Sequence, residues 1–120
     1  MEFSIEYYEA LNGRLYAKEF LDDLGQKNEE LWKQTVGLIR GLKNRKFHEM
    51  PYSRPLGSGL FEIRPRAGKH ICRINYCFER DQRIVLLNGF VKNDKKTQER
   101  EIRKARKLMM ECKERNKKHG

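Results

Sequence analysis

The chain has 120 residues, 37% of them charged, and its 27 Lys and Arg against 17 Asp and Glu give a net charge of +10. This length predicts a single domain over residues 1–120, and the charge favours a polyanionic partner over a neutral ligand. The longest aliphatic run, "IVLL", is too short to span a bilayer and no cationic leader precedes it, so we expect a cytoplasmic protein without a membrane partner.

The first third of the sequence predicts a strand followed by a helical hairpin. Apolar and polar residues alternate in "FSIEY", residues 3–7, which is typical of a half-buried strand. Apolar residues then recur at helical spacing from Tyr16 onwards, and Gly25 is predicted to end this first helix. Asn28 is a predicted cap for a second helix whose apolar face continues to Leu42.

Two glycines lie inside the second predicted helix, Gly37 and Gly41. Glycine is unfavourable in a helix interior because it loses the most backbone freedom on folding. These two residues therefore mark either close helix packing or a frayed helix end, and the sequence leaves both interpretations open.

The middle of the chain predicts a loop and then three strands. Residues 47–59, "FHEMPYSRPLGSG", carry two prolines and two glycines without any period, which is typical of a long loop. Three segments follow, "LFEIRPR", "HICRINYCFE" and "RIVLLNGFV", separated by turn-like "AGK" and "RDQ". We expect consecutive antiparallel strands, the third one central because it is apolar on both faces, with Gly89 marking a bulge or a close approach.

The last third predicts one amphipathic helix after a lysine-rich turn. Ile102, Ala105, Met109 and Cys112 step by three or four residues, as on one face of a helix. The tail, residues 116–120, is expected to fray. The complete prediction is an α+β fold, with an N-terminal strand, a helical hairpin, a three-stranded antiparallel meander that completes one sheet, and a C-terminal helix.

Strand parity brings several cations to one face of the predicted sheet. If Phe61 and Ile63 face the core, then Glu62, Arg64 and Arg66 face the other way. The same alternation places Arg73 and Asn75 opposite the core-facing residues of the second strand. These side chains would share an exposed face, bordered by Lys92, Lys95 and Lys96. The pattern predicts a phosphate-binding surface, although single arginines could instead be solubility residues, or could pair with Glu62 or Glu79.

The cysteines and histidines indicate no metal site and no nucleophilic catalysis. Cys72, Cys77 and Cys112 lack metal-ligand spacing, so we expect them to be reduced core or surface residues. Of the histidines, His70 falls by parity with the core-facing side chains and His119 lies in the tail, so only His48, in the predicted loop, is placed to reach a substrate. A Ser/His/Asp or Cys/His pair is not detectable.

Two long motifs resemble a known family. "GLFEIRPRAGKHICRINYCF" and "IVLLNGFVKNDKKTQEREIRKARK" are similar to the HigB-like, phage-related branch of the RelE/ParE toxin superfamily. The similarity runs from about Leu60 to Lys107 at the level of residues, and the order of the predicted elements extends it to nearly the whole chain. The resemblance implies a RelE-like fold in a single toxin domain.

The resemblance also implies a function. It indicates the toxin of a type II toxin–antitoxin system, a metal-independent, ribosome-dependent mRNA endoribonuclease that inhibits translation without a cofactor. Its implied partners are mRNA with the ribosome and a cognate antitoxin, a helix-turn-helix DNA-binding protein, through which alone it would contact operator DNA. Cleavage would use the 2′-hydroxyl of the RNA as nucleophile and would need positive charge at the phosphate and a proton for the leaving oxygen.

The family motifs place the catalytic role on five cations. By position these are Arg64, Arg73, Lys92, Lys95 and Lys96, with the arginines as phosphate stabilisers and one of the lysines assisting proton transfer. Further residues are expected to bind RNA, namely Arg66, Lys69, Asn75, Arg100 and His48. An exposed Arg73 predicts that its replacement by alanine abolishes activity with little loss of stability.

Two other functions are compatible with the same sequence. One is a ParE-like toxin that is not a nuclease and binds a protein target such as a topoisomerase, in which case the sheet arginines would be dispensable. The other is a nucleic-acid-binding module without catalysis, which predicts salt-sensitive binding and intact RNA. The few aromatic residues on the predicted basic face weigh against the second, because stacking on bases requires them.

Overall fold

The computed structural model describes residues 2–119 of the chain, with side chains through residue 117. The predicted α+β fold is confirmed, and the order of the elements is strand, helical hairpin, sheet and C-terminal helix. They are β1 (Ser4–Tyr7), α1 (Tyr16–Lys27), α2 (Glu29–Gly41), a short 3-10 helix (Arg45–His48), β2 (Ser53–Gly57), β3 (Leu60–Ile63), β4 (Arg66–Ala67), β5 (His70–Glu79), β6 (Arg83–Val91) and α3 (Lys95–His119).

The strands form one sheet in the order β1-β6-β5-β3-β2, and β4 pairs with β5 off this path. The predicted run of antiparallel strands is confirmed, since β3 pairs with β5 and β5 pairs with β6 in antiparallel register. Strand β1 adds to the other side of β6 in parallel orientation, so β6 is central as predicted. Its sequence shows no polar face because helices cover both faces of the sheet.

The prediction of a long loop over residues 47–59 is wrong, because β2 lies in this segment and pairs antiparallel with β3. Pro55 is compatible with β2 because this strand is at the edge of the sheet, where a missing amide donor is tolerated. Ser53 anchors the strand through hydrogen bonds of its hydroxyl with the carbonyl of Phe47 and the hydroxyl of Tyr76, at 2.7 and 2.6 Å. Burial raises the pKa of Tyr76 to about 12.

Both faces of the sheet are covered by helices. On one face, α1 and α2 pack against the sheet through a cluster that includes Ala17, Leu21, Leu42, Ile63, Ile74, Tyr76 and Leu86. On the other face, α3 packs through Ala105, Leu108, Met109 and Cys112 against Leu60, Cys77, Val85 and Leu87. The prediction that this second face is exposed is therefore wrong, because the apolar stripe of α3 requires an apolar partner and finds it there. All three cysteines are free and buried.

The helical hairpin is confirmed, but its first helix does not end at Gly25. Helix α1 continues to Lys27, and Gly25 leaves room for Trp32, whose Cδ1 would be 3.3 Å from a Cβ at this position. Asn28 caps α2 as predicted, since its side-chain oxygen accepts a hydrogen bond from the amide of Leu31 at 3.1 Å. The chain therefore turns at Asn28, which follows the last residue of α1 and caps the start of α2, and not at Gly25.

Helix α3 carries the predicted apolar face, with Ala105, Met109 and Cys112 buried and Ile102 packed against them. The tail is expected to fray from residue 116. Asn116 instead lies within the helix and donates a hydrogen bond to Glu79 Oε1 at 2.6 Å. The rest of the predicted tail lies at or beyond the limit of the described side chains. Within residues 2–119, no helix is both long and apolar enough to cross a membrane.

The glycines differ in what surrounds them. In β6 the pairing with β5 shifts by one residue, so that Leu87 is the extra residue of a bulge, and Gly89 lies two residues beyond it. A Cβ on Gly89 would lie 2.5 Å from Phe20 Cδ2. A Cβ on Gly41 would lie 2.6 Å from Phe47 Cδ2, whereas Gly37 has open space. Close packing is therefore the explanation for Gly41 and Gly89, and not for Gly37.

We expect Gly89→Ala to lower the free energy of unfolding by about 1–3 kcal/mol, because the added methyl group overpacks the contact with Phe20. The control is Gly37→Ala, which meets no atom within 4 Å and should raise the free energy of unfolding by about 0.5–1 kcal/mol. Urea unfolding followed by circular dichroism measures both values. A Gly89→Ala protein as stable as the parent would contradict the close approach.

Candidate functional site

The candidate site is centred on a buried carboxylate, Glu62, on β3. Its side chain is 0% exposed and accepts a hydrogen bond from Arg64 Nε at 2.7 Å. The same carboxylate lies 3.2 and 3.3 Å from Nη1 of Arg73, on the neighbouring strand β5. Two cations share one anion, so this cluster of Arg64, Glu62 and Arg73 retains a net charge of +1. We refer to these three residues as the arginine cluster.

The two arginines of this cluster differ in their access to solvent. The Arg73 side chain is only 4% exposed, so the prediction that it lies on an open face is wrong. Its Nε atom is buried and has no hydrogen-bond partner among the described residues. The Arg64 side chain is 40% exposed and uses Nε to bind Glu62, while no described residue accepts a hydrogen bond from its terminal amino groups. Arg64 is therefore the residue of the cluster that a phosphate can contact.

Asn75 is also buried, contrary to the expectation that it contacts RNA. Its amide nitrogen donates a hydrogen bond to Asn88 Oδ1 at 3.1 Å, and Asn88 in turn donates to the carbonyl of Glu101 on α3 at 3.0 Å. These bonds join β5, β6 and the N-terminal part of α3. In this structure Asn75 supports the position of α3 beside the arginine cluster and does not reach the surface.

Lys92 lies at the end of β6, where its amide donates a hydrogen bond to the carbonyl of Ile71 at 2.9 Å. Arg73 pairs with Phe90 across the sheet, and Lys92, two residues after Phe90, continues on the same face. Side chains on such a diagonal of two strands are about 7–8 Å apart at their bases. Lys92 therefore lies next to the arginine cluster on the same face of the sheet, where β6 ends, and it is exposed.

Lys95 and Lys96 are not in a loop, as predicted, but in the first turn of α3. Asp94 caps the helix by accepting a hydrogen bond from the amide of Thr97 at 2.8 Å, and this bond holds the pKa of Asp94 below its usual range. The first turn contains no acidic residue. Cations at this end of a helix oppose the macrodipole, so the two lysines and the helix N-terminus together form a region that attracts anions.

Three more predicted RNA-binding residues are exposed near this edge. Arg66 lies on β4, which pairs with the beginning of β5, and Lys69 lies in the turn between these two strands. Arg100 is on the second turn of α3, where its Nε is 3.7 Å from the carboxylate of Glu101. The structure therefore brings Arg66 and Lys69 to the strand end that carries Lys92, and Arg100 to the helix that begins there.

The histidines do not join this site. His48 packs edge-on between the rings of Phe3 and Phe78, with centroids at 4.6 and 4.9 Å, and its Nε2 lies 2.6 Å from the carbonyl of Leu42. Phe78 belongs to the sheet face under α1 and α2, opposite to Arg73. His48 therefore has a packing role far from the predicted RNA-binding surface. His70 is exposed, contrary to the prediction that it faces the core, and the His119 side chain lies outside the described residues.

One cation of the site was missed by the sequence analysis. Arg54 lies on β2 directly opposite Glu62, on the same face of the sheet as the arginine cluster, and it is exposed. The prolines and glycines of its segment predict a loop, so the sequence does not place Arg54 on the sheet. The signal was the turn "GSG", since Gly57, Ser58 and Gly59 all have positive φ and join β2 to β3 as a hairpin.

No group of three His, Cys, Asp or Glu side chains within the described part of the chain is arranged to hold a metal ion. The basic side chains of the site are Arg54, Arg64, Arg66, Lys69, Lys92, Lys95, Lys96 and Arg100, and Arg73 lies beneath them. Such an arrangement can bind the phosphates of an extended polyanion, with one arginine fork fixed in direction by a buried carboxylate.

Comparison with known protein families gives one match. Residues 19–110 match the family described as "Phage derived protein Gp49-like (DUF891)". The matched segment contains all of the basic residues named for the site. No curated protein matches the chain.

We expect Arg73→Met to lower the free energy of unfolding by about 1–3 kcal/mol, because it removes one of the two partners of the buried Glu62 carboxylate while Arg64 remains. This reverses the expectation for an exposed arginine. Glu62→Met should lose more stability, because it leaves the buried Arg73 without a carboxylate, and the double variant Glu62→Met/Arg73→Met should be more stable than Glu62→Met. Urea unfolding of the parent, both single variants and the double variant measures the coupling. A single Arg73→Met protein as stable as the parent would contradict the burial of this pair.

Proposed function

We propose a function from a premise that the matched residues establish: the chain belongs to the family of phage-derived Gp49-like proteins. Membership in this family is consistent with a toxin of a toxin–antitoxin system. We propose that this toxin is an endoribonuclease that cleaves mRNA in the ribosome, without a metal ion, and so inhibits translation. The observation that supports RNA as the substrate is the arginine cluster, with its exposed Arg64 fork, at an edge bordered by Lys92, Lys95 and Lys96.

The proposed reaction uses the RNA itself as nucleophile. The 2′-oxygen attacks the adjacent phosphorus, the bond from phosphorus to the 5′-oxygen breaks, and the products are a 2′,3′-cyclic phosphate and a 5′-hydroxyl. The 2′-hydroxyl loses a proton and the 5′-oxygen gains one. The crowded phosphorane carries more negative charge on its non-bridging oxygens than the ground state, so fixed cations accelerate the reaction by stabilising it.

Arg64 is proposed as the group that contacts the phosphate. Its guanidinium is planar and always charged, and its terminal amino groups can donate two parallel hydrogen bonds to two phosphate oxygens. The 2.7 Å hydrogen bond from its Nε to Glu62 fixes the direction of this fork before RNA binds. Such preorganisation means that the cation needs little rearrangement when charge develops. Arg73 supports the site from beneath, because it shares Glu62 and keeps the cluster positive.

One of Lys92, Lys95 or Lys96 is proposed to assist proton transfer. An ammonium group can donate a proton to the leaving 5′-oxygen, and all three side chains are exposed at the edge where the phosphate would bind. The N-terminus of α3 adds a partial positive charge to the same region. The other two lysines, with Arg54, Arg66, Lys69 and Arg100, would bind neighbouring phosphates of the RNA.

A cognate antitoxin is the proposed protein partner. It would neutralise the toxin by covering the basic edge with a segment of opposite charge, since complementary charge favours fast association and correct orientation. We propose that the antitoxin is a helix-turn-helix DNA-binding protein and that the toxin contacts operator DNA only through it. The excess of cations after residue 45, 20 Lys and Arg against 9 Asp and Glu, is compatible with such an acidic partner.

We expect Arg64→Ala to lower kcat/KM for mRNA cleavage roughly 100- to 1,000-fold, as is typical for the loss of one preorganised donor to a reaction's developing charge. The matched control is Arg83→Ala, which removes the same charge at the beginning of β6, the end of the strand opposite to Lys92, and should leave the rate unchanged. The assay supplies a defined mRNA either free or on ribosomes and maps the cut ends by primer extension. Cyclic phosphate ends, formed only with ribosomes, are the expected product.

Other results of this assay would redirect the proposal. Intact mRNA in both reactions, from a protein that is toxic in cells, would contradict the endoribonuclease and favour a protein target. Salt-sensitive binding of intact RNA would favour a binding module. Equal loss of rate in Arg64→Ala and Arg83→Ala would show that net charge alone, and not the arginine cluster, determines activity.

A further inference from the structure

A second basic surface lies at the opposite end of the sheet from the arginine cluster. The segment "RGLKNRK", residues 40–46, carries four cations in seven residues, at the end of α2 and in the 3-10 helix. Arg40, Lys43 and Arg45 line a pocket of about 650 Å³, together with Glu2, Gly41, Asn44 and Gln82. We refer to Arg40, Lys43 and Arg45 as the α2-end cations. All three are exposed.

The α2-end cations differ from the other cations in the first part of the chain. Residues 1–45 contain seven Lys and Arg. Arg14, Lys18, Lys27 and Lys33 each form a salt bridge with a nearby carboxylate, at 2.6 to 3.6 Å. The remaining three are the α2-end cations, and none of them forms a salt bridge among the described residues. The other cations of residues 1–45 are therefore paired with carboxylates, whereas the three cations at this pocket are not.

The segment that carries these cations is held in place by the fold. The carbonyl of Lys43 accepts a hydrogen bond from the amide of Phe3 at 3.0 Å, and the Asn44 side chain accepts one from the amide of Lys46 at 3.0 Å. The Arg45 guanidinium lies 5.9 Å from the centroid of the Phe3 ring. The backbone that carries these cations is therefore fixed before any partner binds, which lowers the entropy lost on binding.

The distance between the two basic surfaces suggests the kind of partner. Gln82, in the pocket wall, precedes β6, and Lys92, in the site, follows it. The nine residues of β6 span about 26 Å at about 3.3 Å per step. The two surfaces also lie in different layers, because α2 packs on the sheet face opposite to α3 and the arginine cluster. A short single strand in the site would therefore not extend to the pocket. A folded RNA, with a helical segment beside the cleaved strand, is large enough to contact both surfaces.

We propose that the α2-end cations bind the phosphate backbone of a helical segment of a folded RNA, which lies beside the RNA held at the arginine cluster. This inference deepens the proposed function and rests on it for the identity of the substrate. The α2-end surface anchors the protein on structured RNA, while the distant edge performs the cleavage. Phosphate contacts of this kind supply affinity without reading sequence. The surface contributes to binding and not to the chemical step.

The test compares two variants with the same change in net charge. The first, Arg40→Gln/Lys43→Gln/Arg45→Gln, removes the α2-end cations. The control, Lys18→Gln/Lys27→Gln/Lys33→Gln, removes three cations that are already paired with carboxylates. The probe is an RNA duplex with 2′-O-methyl groups on both strands, which cannot be cleaved by 2′-hydroxyl attack. Binding is measured as a function of salt concentration, after the urea midpoint has shown that each variant is folded.

We expect the first variant to lose about 2–3 units of the slope of log affinity against log salt, at roughly 0.7–0.9 per phosphate contact, and the control to keep the parent slope. Equal slopes in both variants would overturn the proposal, and so would a parent protein that does not bind the duplex. Binding to vesicles of anionic lipid that depends on the α2-end cations, without binding to the duplex, would assign the surface to a membrane instead.

Cleavage separates this inference from the proposed function. The first variant should cleave the ribosome-bound message with the parent kcat and a raised KM, because its loss lies in binding. If the parent protein does not cleave this message, the proposed endoribonuclease fails while the duplex measurement still decides the role of the α2-end cations. If the first variant also has a lowered kcat, the two surfaces are not separate in function and the inference is wrong.

Discussion

A buried carboxylate is the constraint on which the rest of the site depends. Glu62 is removed from water, and a charge in that position is tolerated only when it is paired and hydrogen-bonded. Both partners come from fixed places, Arg64 two residues along the chain and Arg73 on the next strand. A slip of one residue between β3 and β5 would turn Glu62 into the apolar core under α1 and α2. The ion pair therefore specifies the register, and the register fixes the direction of the Arg64 fork.

Helix α3 completes the site by covering the same face of the sheet. Its apolar stripe buries Leu87 and neighbouring residues, while Asn88 binds the carbonyl of Glu101 and so fixes the N-terminal part of the helix. This placement brings the first turn of α3, with Lys95 and Lys96, to the strand end where Lys92 lies. The helix thus has two roles, since it covers the sheet face that carries Arg73 and places two lysines next to the end of β6. Stability and charge placement come from one packing arrangement.

The sequence predicted the elements well and their environment less well. Alternation along β5 correctly placed Arg73 and Asn75 opposite the core formed with α1 and α2, but parity cannot tell whether a second layer covers that face. Two signals, the strand β6 without a polar face and the apolar stripe of α3, together imply such a layer, and only their combination does so. Arg54 was missed because Pro55 and Gly57 indicate a loop unless the strand is known to be an edge. The polar residues around Lys95 and Lys96 predict a loop unless Asp94 is identified as the cap of α3.

The central claim, that Arg64 contacts the phosphate while Arg73 supports it from beneath, can be tested most directly by NMR. The side-chain Nε resonances of the arginines would be followed while an uncleavable 2′-O-methyl tetranucleotide is added to the ¹⁵N-labelled protein, with Arg64→Lys used to assign the signal. The account predicts a saturable shift of the Arg64 resonance and a much smaller change at Arg73. A shift at Arg73 alone, or no shift at Arg64 when the RNA is bound, would contradict it.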